Sequence, residues 1–117
     1  MAIDRRPIEQ MIVDVGPEAF RRLAALFQDE TVGSVADMRG LLAAQDWREL
    51  GRIAHSLKHA TASFGLTALA DEALVLERAA DAADAAASEK SLAALSESCA
   101  ETIAEFNELI EEFGEVE

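Results

Sequence analysis

The chain has no tyrosine, one tryptophan, one cysteine and two prolines in 117 residues, and each shortage excludes something. A lone Cys99 cannot close an internal disulfide or build a cysteine-based zinc site, which fits a reducing compartment. Few prolines and six glycines leave long stretches without a backbone break. The dominance of Ala, Leu and Glu favours helix and offers little to strands. Basic residues are also scarce, with ten Lys and Arg against 23 Asp and Glu for a net charge of -13. Such a surface repels a nucleic acid duplex and anionic lipid, and no basic stripe with interleaved aromatics relieves the repulsion. No apolar run approaches the length of a membrane span. The start, Met1-Ala2-Ile3-Asp4-Arg5-Arg6-Pro7, lacks the apolar core of a signal peptide. A cytoplasmic protein without nucleic acid or membrane partners is expected.

The length suits one domain, taken as residues 1–117, with one hydrophobic core. Ile8, Met11 and Ile12 predict a short helix at about 7–13. Gly16-Pro17 punctuates, and Pro17 suits a first helical turn because its missing N–H would be unpaired there. Phe20, Leu23, Ala24, Phe27, Val35, Met38, Leu41 and Leu42 keep helical spacing to about Ala44, through a weak point at Thr31-Val32-Gly33-Ser34. Asp46 with Glu49 reads as a capping box. The helix it opens carries Leu50, Ile53, Ala54, Leu57, Thr61 and Phe64 on its apolar side, and Gly65 stops it. Thr67 is expected to cap the next helix, which carries Leu69, Ala73 and Leu76 and finishes in the Ala/Asp-rich stretch 79–87. Ser88 is expected to cap a last helix, inward at Leu92, Leu95, Cys99, Ile103, Phe106, Leu109, Ile110 and Phe113, with Gly114 beyond its end. Short connections between long helices make neighbours antiparallel. The expected fold is an all-α, up-and-down four-helix bundle over about 17–113, preceded by the short helix. All four long helices come from one chain, so a monomer is expected.

The run His55-Ser56-Leu57-Lys58-His59-Ala60-Thr61-Ala62-Ser63-Phe64-Gly65 is the most informative stretch. At roughly 100° per residue, Ile53, Leu57 and Phe64 fall opposite His55, so the imidazole points away from the core. Arg48, Gly51, Arg52, Lys58, His59 and Ala62 share its face. Arg48 and Arg52 lie within two turns before it and Lys58 one turn after it. Gly51 and Ala62 would keep that surface low, so that another protein could approach the ring. A solvated charge face would also account for the three cations.

This arrangement suits phosphoryl transfer. A neutral imidazole is a competent nucleophile near neutral pH because its ordinary pKa is about 6.5. Transfer needs positioning and cations near the phosphoryl oxygens more than covalent help. His55 and His59, at i and i+4, also have the spacing of paired helical zinc ligands. No acidic ligand is evident on that face and cations surround it, so no metal site is expected. Serine hydrolase, P-loop and dinucleotide motifs are absent, and no Gly-rich nucleotide box points to ATP-dependent kinase activity.

The run resembles the signature of histidine-containing phosphotransfer (HPt) domains, His-x-Leu-Lys-Gly-x-x-x-x-x-Gly, through His55, Leu57, Lys58 and Gly65. Ala54 before the histidine and Leu69, Leu76 and Glu77 after the motif also suit the family's habit. The resemblance implies a four-helix bundle with the histidine on its second long helix. It further implies a phosphorelay intermediate in two-component signalling, which accepts a phosphoryl group on His55 and exchanges it with the aspartate of response-regulator receiver domains. A hybrid histidine kinase is a further partner it implies. Lys58 would steady the phosphoryl charge. The receiver would bring the magnesium, so this chain would need no cofactor of its own. His59 departs from the family's glycine, and its bulk could restrict partners or contact the phosphoryl group. That departure keeps a second reading open, a helical binding module that regulates a kinase or response regulator by contact, without phosphate.

Overall fold

A computed structural model describes residues 3–115. It contains five helices: α1 (Arg5–Val15), α2 (Pro17–Ala43), α3 (Trp47–Ser63), α4 (Thr67–Asp81) and α5 (Ala85–Glu115). No strand occurs among the described residues. Helix α2 packs on α3 and α5, α3 on α4, and α4 on α5, so these four close a ring around one core, with α1 laid on α2. The α3–α4 contact is the most extensive. No helix of the described residues is long and apolar enough to cross a membrane.

The expected all-helical bundle is present, and its boundaries have local causes. Helix α1 begins two residues earlier than expected because the Asp4 carboxylate accepts the Arg6 N–H at 3.1 Å. Helix α2 runs unbroken through Thr31-Ser34, where the buried Thr31 hydroxyl donates to the Phe27 carbonyl at 2.8 Å. At the start of α3, Asp46 accepts the Glu49 N–H at 3.3 Å, but the reciprocal half of the box is missing. Glu49 pairs with Arg52 instead, and the Asp46 N–H donates to Leu41.

Three capping expectations are corrected. Leu66, not Thr67, holds the cap position of α4, because the closure of α3 leaves no room for a separate capping residue. There Gly65 N–H donates to the Ala62 carbonyl at 3.0 Å and Leu66 N–H to Thr61 at 2.9 Å, the paired bonds of a Schellman motif. Ser88 does not cap α5. Asp84 does, accepting the Ala87 N–H at 3.0 Å, so the alanines from Ala85 join the helix and Ser88 is buried in it. Gly114 lies within α5 rather than after it.

The core is built from Phe20, Phe27, Met38, Leu50, Leu57, Leu69, Leu76, Leu95 and Phe106 with their neighbours. Phe64, at the end of α3, stacks on Phe27 of α2 at 4.4 Å and meets Phe106 of α5 edge-on at 5.8 Å. These rings lock the C-terminal end of α3, the helix that carries His55. The N-terminal segment adds a second lock. Asp4 N–H donates to the Gly65 carbonyl at 2.7 Å, while Arg5 pairs with Glu112 at 2.9 Å and covers the Phe113 ring.

Gly65 therefore meets two demands. Its φ is +77°, and a Cβ there would stand 2.1 Å from the Asp4 carbonyl oxygen. Gly65→Ala is expected to destabilise the fold by at least about 2 kcal/mol, since the left-handed backbone alone costs an L-residue roughly 1–2 kcal/mol. Chemical denaturation of the purified variant measures this, and unchanged stability would contradict the docking of the N-terminal segment on the turn.

Candidate functional site

Helix α3 is anchored by buried Leu50, Ala54, Leu57 and Thr61, with Ile53 and Phe64 packed beside them. His55 falls on the other side, and its side chain is 51% exposed, as the projection predicts. Arg48, Arg52, His59 and Ala62 are exposed on the same helix, and Lys58 is partly buried.

Gly51 is not part of that open surface. It is buried, and a Cβ there would stand 3.0 Å from the Asp81 carboxylate and 3.7 Å from the Ala80 methyl. A projection of α3 alone cannot show that α4 covers this flank. Gly51 faces the Ala80–Asp81 end of α4, the helix that also lies beside His55.

What α4 brings is Glu77. One carboxylate oxygen, Oε2, lies 2.6 Å from His55 Nδ1, and the other, Oε1, accepts from Lys58 Nζ at 2.8 Å. The Glu77 side chain is 16% exposed. The lysine's hydrogen bond holds its carboxyl below the usual glutamate range, opposed by burial and helped by His55. An ionised carboxylate can only accept, so the proton of the His55–Glu77 contact sits on Nδ1. In the neutral ring, Nε2 then carries the free lone pair. The carboxylate thus chooses the nitrogen.

The expected collar of free cations is corrected as well. Lys58 is engaged by Glu77, and Arg52 by Glu49 on its own helix. Arg48 remains exposed and makes no ion pair among the described residues. The sequence face contains only α3, whereas the folded face includes α4 and its Glu77.

His59 reaches the reactive side of the ring. Its Nε2 lies 3.2 Å from His55 Nε2, with ring centroids 4.5 Å apart and planes at 74°. With the His55 proton on Nδ1, the His59 Nε2–H donates to the His55 lone pair. The histidine that stands where the resembled signature has glycine therefore touches His55 Nε2.

Glu77 is the site residue that sequence reasoning passed over; it entered only as suiting a family habit. A signal for it existed. Glu77 follows the buried Leu76 and lies about as far after Gly65 as His55 lies before it, so an α3–α4 hairpin sets the two level.

The helical bundle thus holds a half-exposed imidazole on one helix with a carboxylate from the next behind it. Residues 22–114 match the family model described as Hpt domain, and the chain belongs to that family. Hpt domains are phosphocarrier modules of two-component signalling, not kinases, and they act with response-regulator receivers and histidine kinases. Neither the curated proteins nor the solved structures yield a match to this chain.

The Glu77 pairing yields a pH signature. A carboxylate whose folded pKa is depressed stabilises above its ordinary range and loses that contribution as pH falls through the folded value. Glu77→Gln is expected to cost about 1 kcal/mol at neutral pH, the scale of a charged hydrogen bond replaced by a neutral one. The gap to wild type should close as pH drops below the ordinary glutamate range. Denaturation curves across pH measure it, and a gap constant into acid would remove Glu77 from the account.

Proposed function

We propose that this chain is a phosphorelay intermediate whose acceptor is Nε2 of His55, exchanging phosphate with the aspartate of response-regulator receiver domains. The observation that carries this reading is the Glu77 contact, which puts the proton on Nδ1 and leaves Nε2 nucleophilic. In the accepting step, the Nε2 lone pair attacks the phosphorus of a receiver's aspartyl phosphate. The N–P bond forms as the P–O bond to the aspartate breaks, and the carboxylate leaves with that electron pair. Nδ1 keeps its proton on Glu77, so the charge developing on the ring is balanced from behind. Transfer onward is the same step reversed, toward another aspartate.

Lys58 divides its ammonium between Glu77 and the phosphoryl oxygens. Arg48, Arg52, His59 and Ala62 form the exposed surface that meets the partner. The chain brings no cofactor to the transfer, and magnesium rides on the receiver. It acts as a cytoplasmic monomer, a single domain over residues 1–117 whose ends lie outside the described residues. Its four long helices run up and down in antiparallel order, as their short connections require.

A second reading, regulation by contact without phosphate, gains from His59. Its contact with His55 Nε2 occupies the acceptor nitrogen, so the ring must swing aside before transfer.

One experiment separates the two. Wild type, His55→Gln, His59→Gln and Lys58→Ala are incubated with a phosphorylated receiver in magnesium. Acid-labile, base-stable label is expected on wild type and His59→Gln, none on His55→Gln, and slower labelling on Lys58→Ala. Label retained on His55→Gln would sink the assignment. No label on any chain, from receivers that phosphorylate other carriers, would favour the contact-only module.

A further inference from the structure

The His55–His59 pair has a second chemistry. Two Zn–N bonds of about 2.0–2.1 Å at a tetrahedral angle set their nitrogens roughly 3.3 Å apart. The two Nε2 atoms already stand 3.2 Å apart, on exposed rings of one rigid helix. The Glu77 carboxylate on Nδ1 completes the carboxylate–histidine pairing that fixes the tautomer of a metal-bound imidazole and raises its basicity. Two of the three cations that spoke against a metal are drawn off, Lys58 onto Glu77 and Arg52 onto Glu49, and the third, Arg48, stands seven residues before His55 on the helix. We propose that His55 and His59 chelate a divalent transition metal ion of the zinc class through their Nε2 atoms.

The chain supplies two ligands, because no group of three or more His, Cys, Asp or Glu side chains gathers for a metal among the described residues. The remaining positions are open to water, which makes the ion exchangeable rather than structural. Metal binding replaces the hydrogen bond between the rings, so the His59 proton moves from Nε2 to Nδ1, leaving a neutral imidazole whose Nε2 lone pair is free, with no rearrangement of the helix. Its consequence follows from the atom it uses. A metal on Nε2 of His55 withholds the lone pair that phosphoryl transfer requires, so the ion and the phosphoryl group exclude each other. This consequence rests on the phosphocarrier reading; the chelate itself does not.

The test uses the full chain without a histidine tag. Zinc is titrated into wild type, His55→Gln and His59→Gln, followed by calorimetry and by the imidazole nitrogen resonances, with circular dichroism checking that each variant is folded. Wild type is expected to bind one zinc with both Nε2 resonances moving together, and each variant to bind at least tenfold more weakly. Equal affinity in wild type and His59→Gln, or zinc that moves neither ring, would overturn the chelate. A second arm labels the chain with phosphoramidate, a donor that brings no metal-dependent receiver. Zinc should slow labelling of wild type far more than of His59→Gln, and equal slowing would overturn the competition. An unlabelled His55 together with two-ring zinc binding would overturn the phosphocarrier reading and support the chelate.

Discussion

Glu77 places one negative charge between an imidazole and an ammonium, and the behaviour of both depends on it. Without the carboxylate, the His55 proton has no reason to stay on Nδ1, and Lys58 stands as a free cation at the ring. With it, the ring has a defined acceptor nitrogen and a counter-charge behind it. Lys58 keeps Glu77 as its partner. The contact itself depends on how closely α3 and α4 approach. Gly51 lies buried where the two helices meet, against the Ala80–Asp81 end of α4.

The remainder of the bundle holds this pair of helices in register. The Schellman closure at Gly65 joins α3 to α4 with almost no slack, and the Phe64 ring pins the turn to α2 and α5. The N-terminal segment reaches the same turn through Asp4, and so braces the end of α3 that follows the motif. This rigidity suits the proposed function. Phosphoryl transfer gains from a nucleophile whose position is set before the partner arrives, and a short helix hairpin supplies that without an ordering loop.

Much of this was legible along the chain, and what was hidden shares one cause. Pro17 and the spacing from Phe20 to Met38 announced α2, Asp46 announced α3, and a single-helix projection turned His55 outward. All of these depend on residues a few positions apart. The burial of Gly51, the arrival of Glu77 and the neutralised cations depend on where α4 lies against α3, which no property of one helix contains. The caps at Leu66 and Asp84 have a local reason: nearby positions compete, Leu66 with the adjacent Thr67 and Asp84 with Ser88 four residues on, and the closure of α3 or the better acceptor decides. His59 was noticed as a departure, but the meeting of its Nε2 with that of His55 is a matter of side-chain geometry.

In the proposed function, Glu77 directs the phosphoryl group to Nε2 of His55. The most direct measurement is a long-range proton–nitrogen correlation spectrum of the phosphorylated, nitrogen-15-labelled chain, which assigns the modified ring and the modified nitrogen together. Phosphate is expected on Nε2 of His55, with Nδ1 still protonated. Phosphate on Nδ1, or on His59, would contradict it.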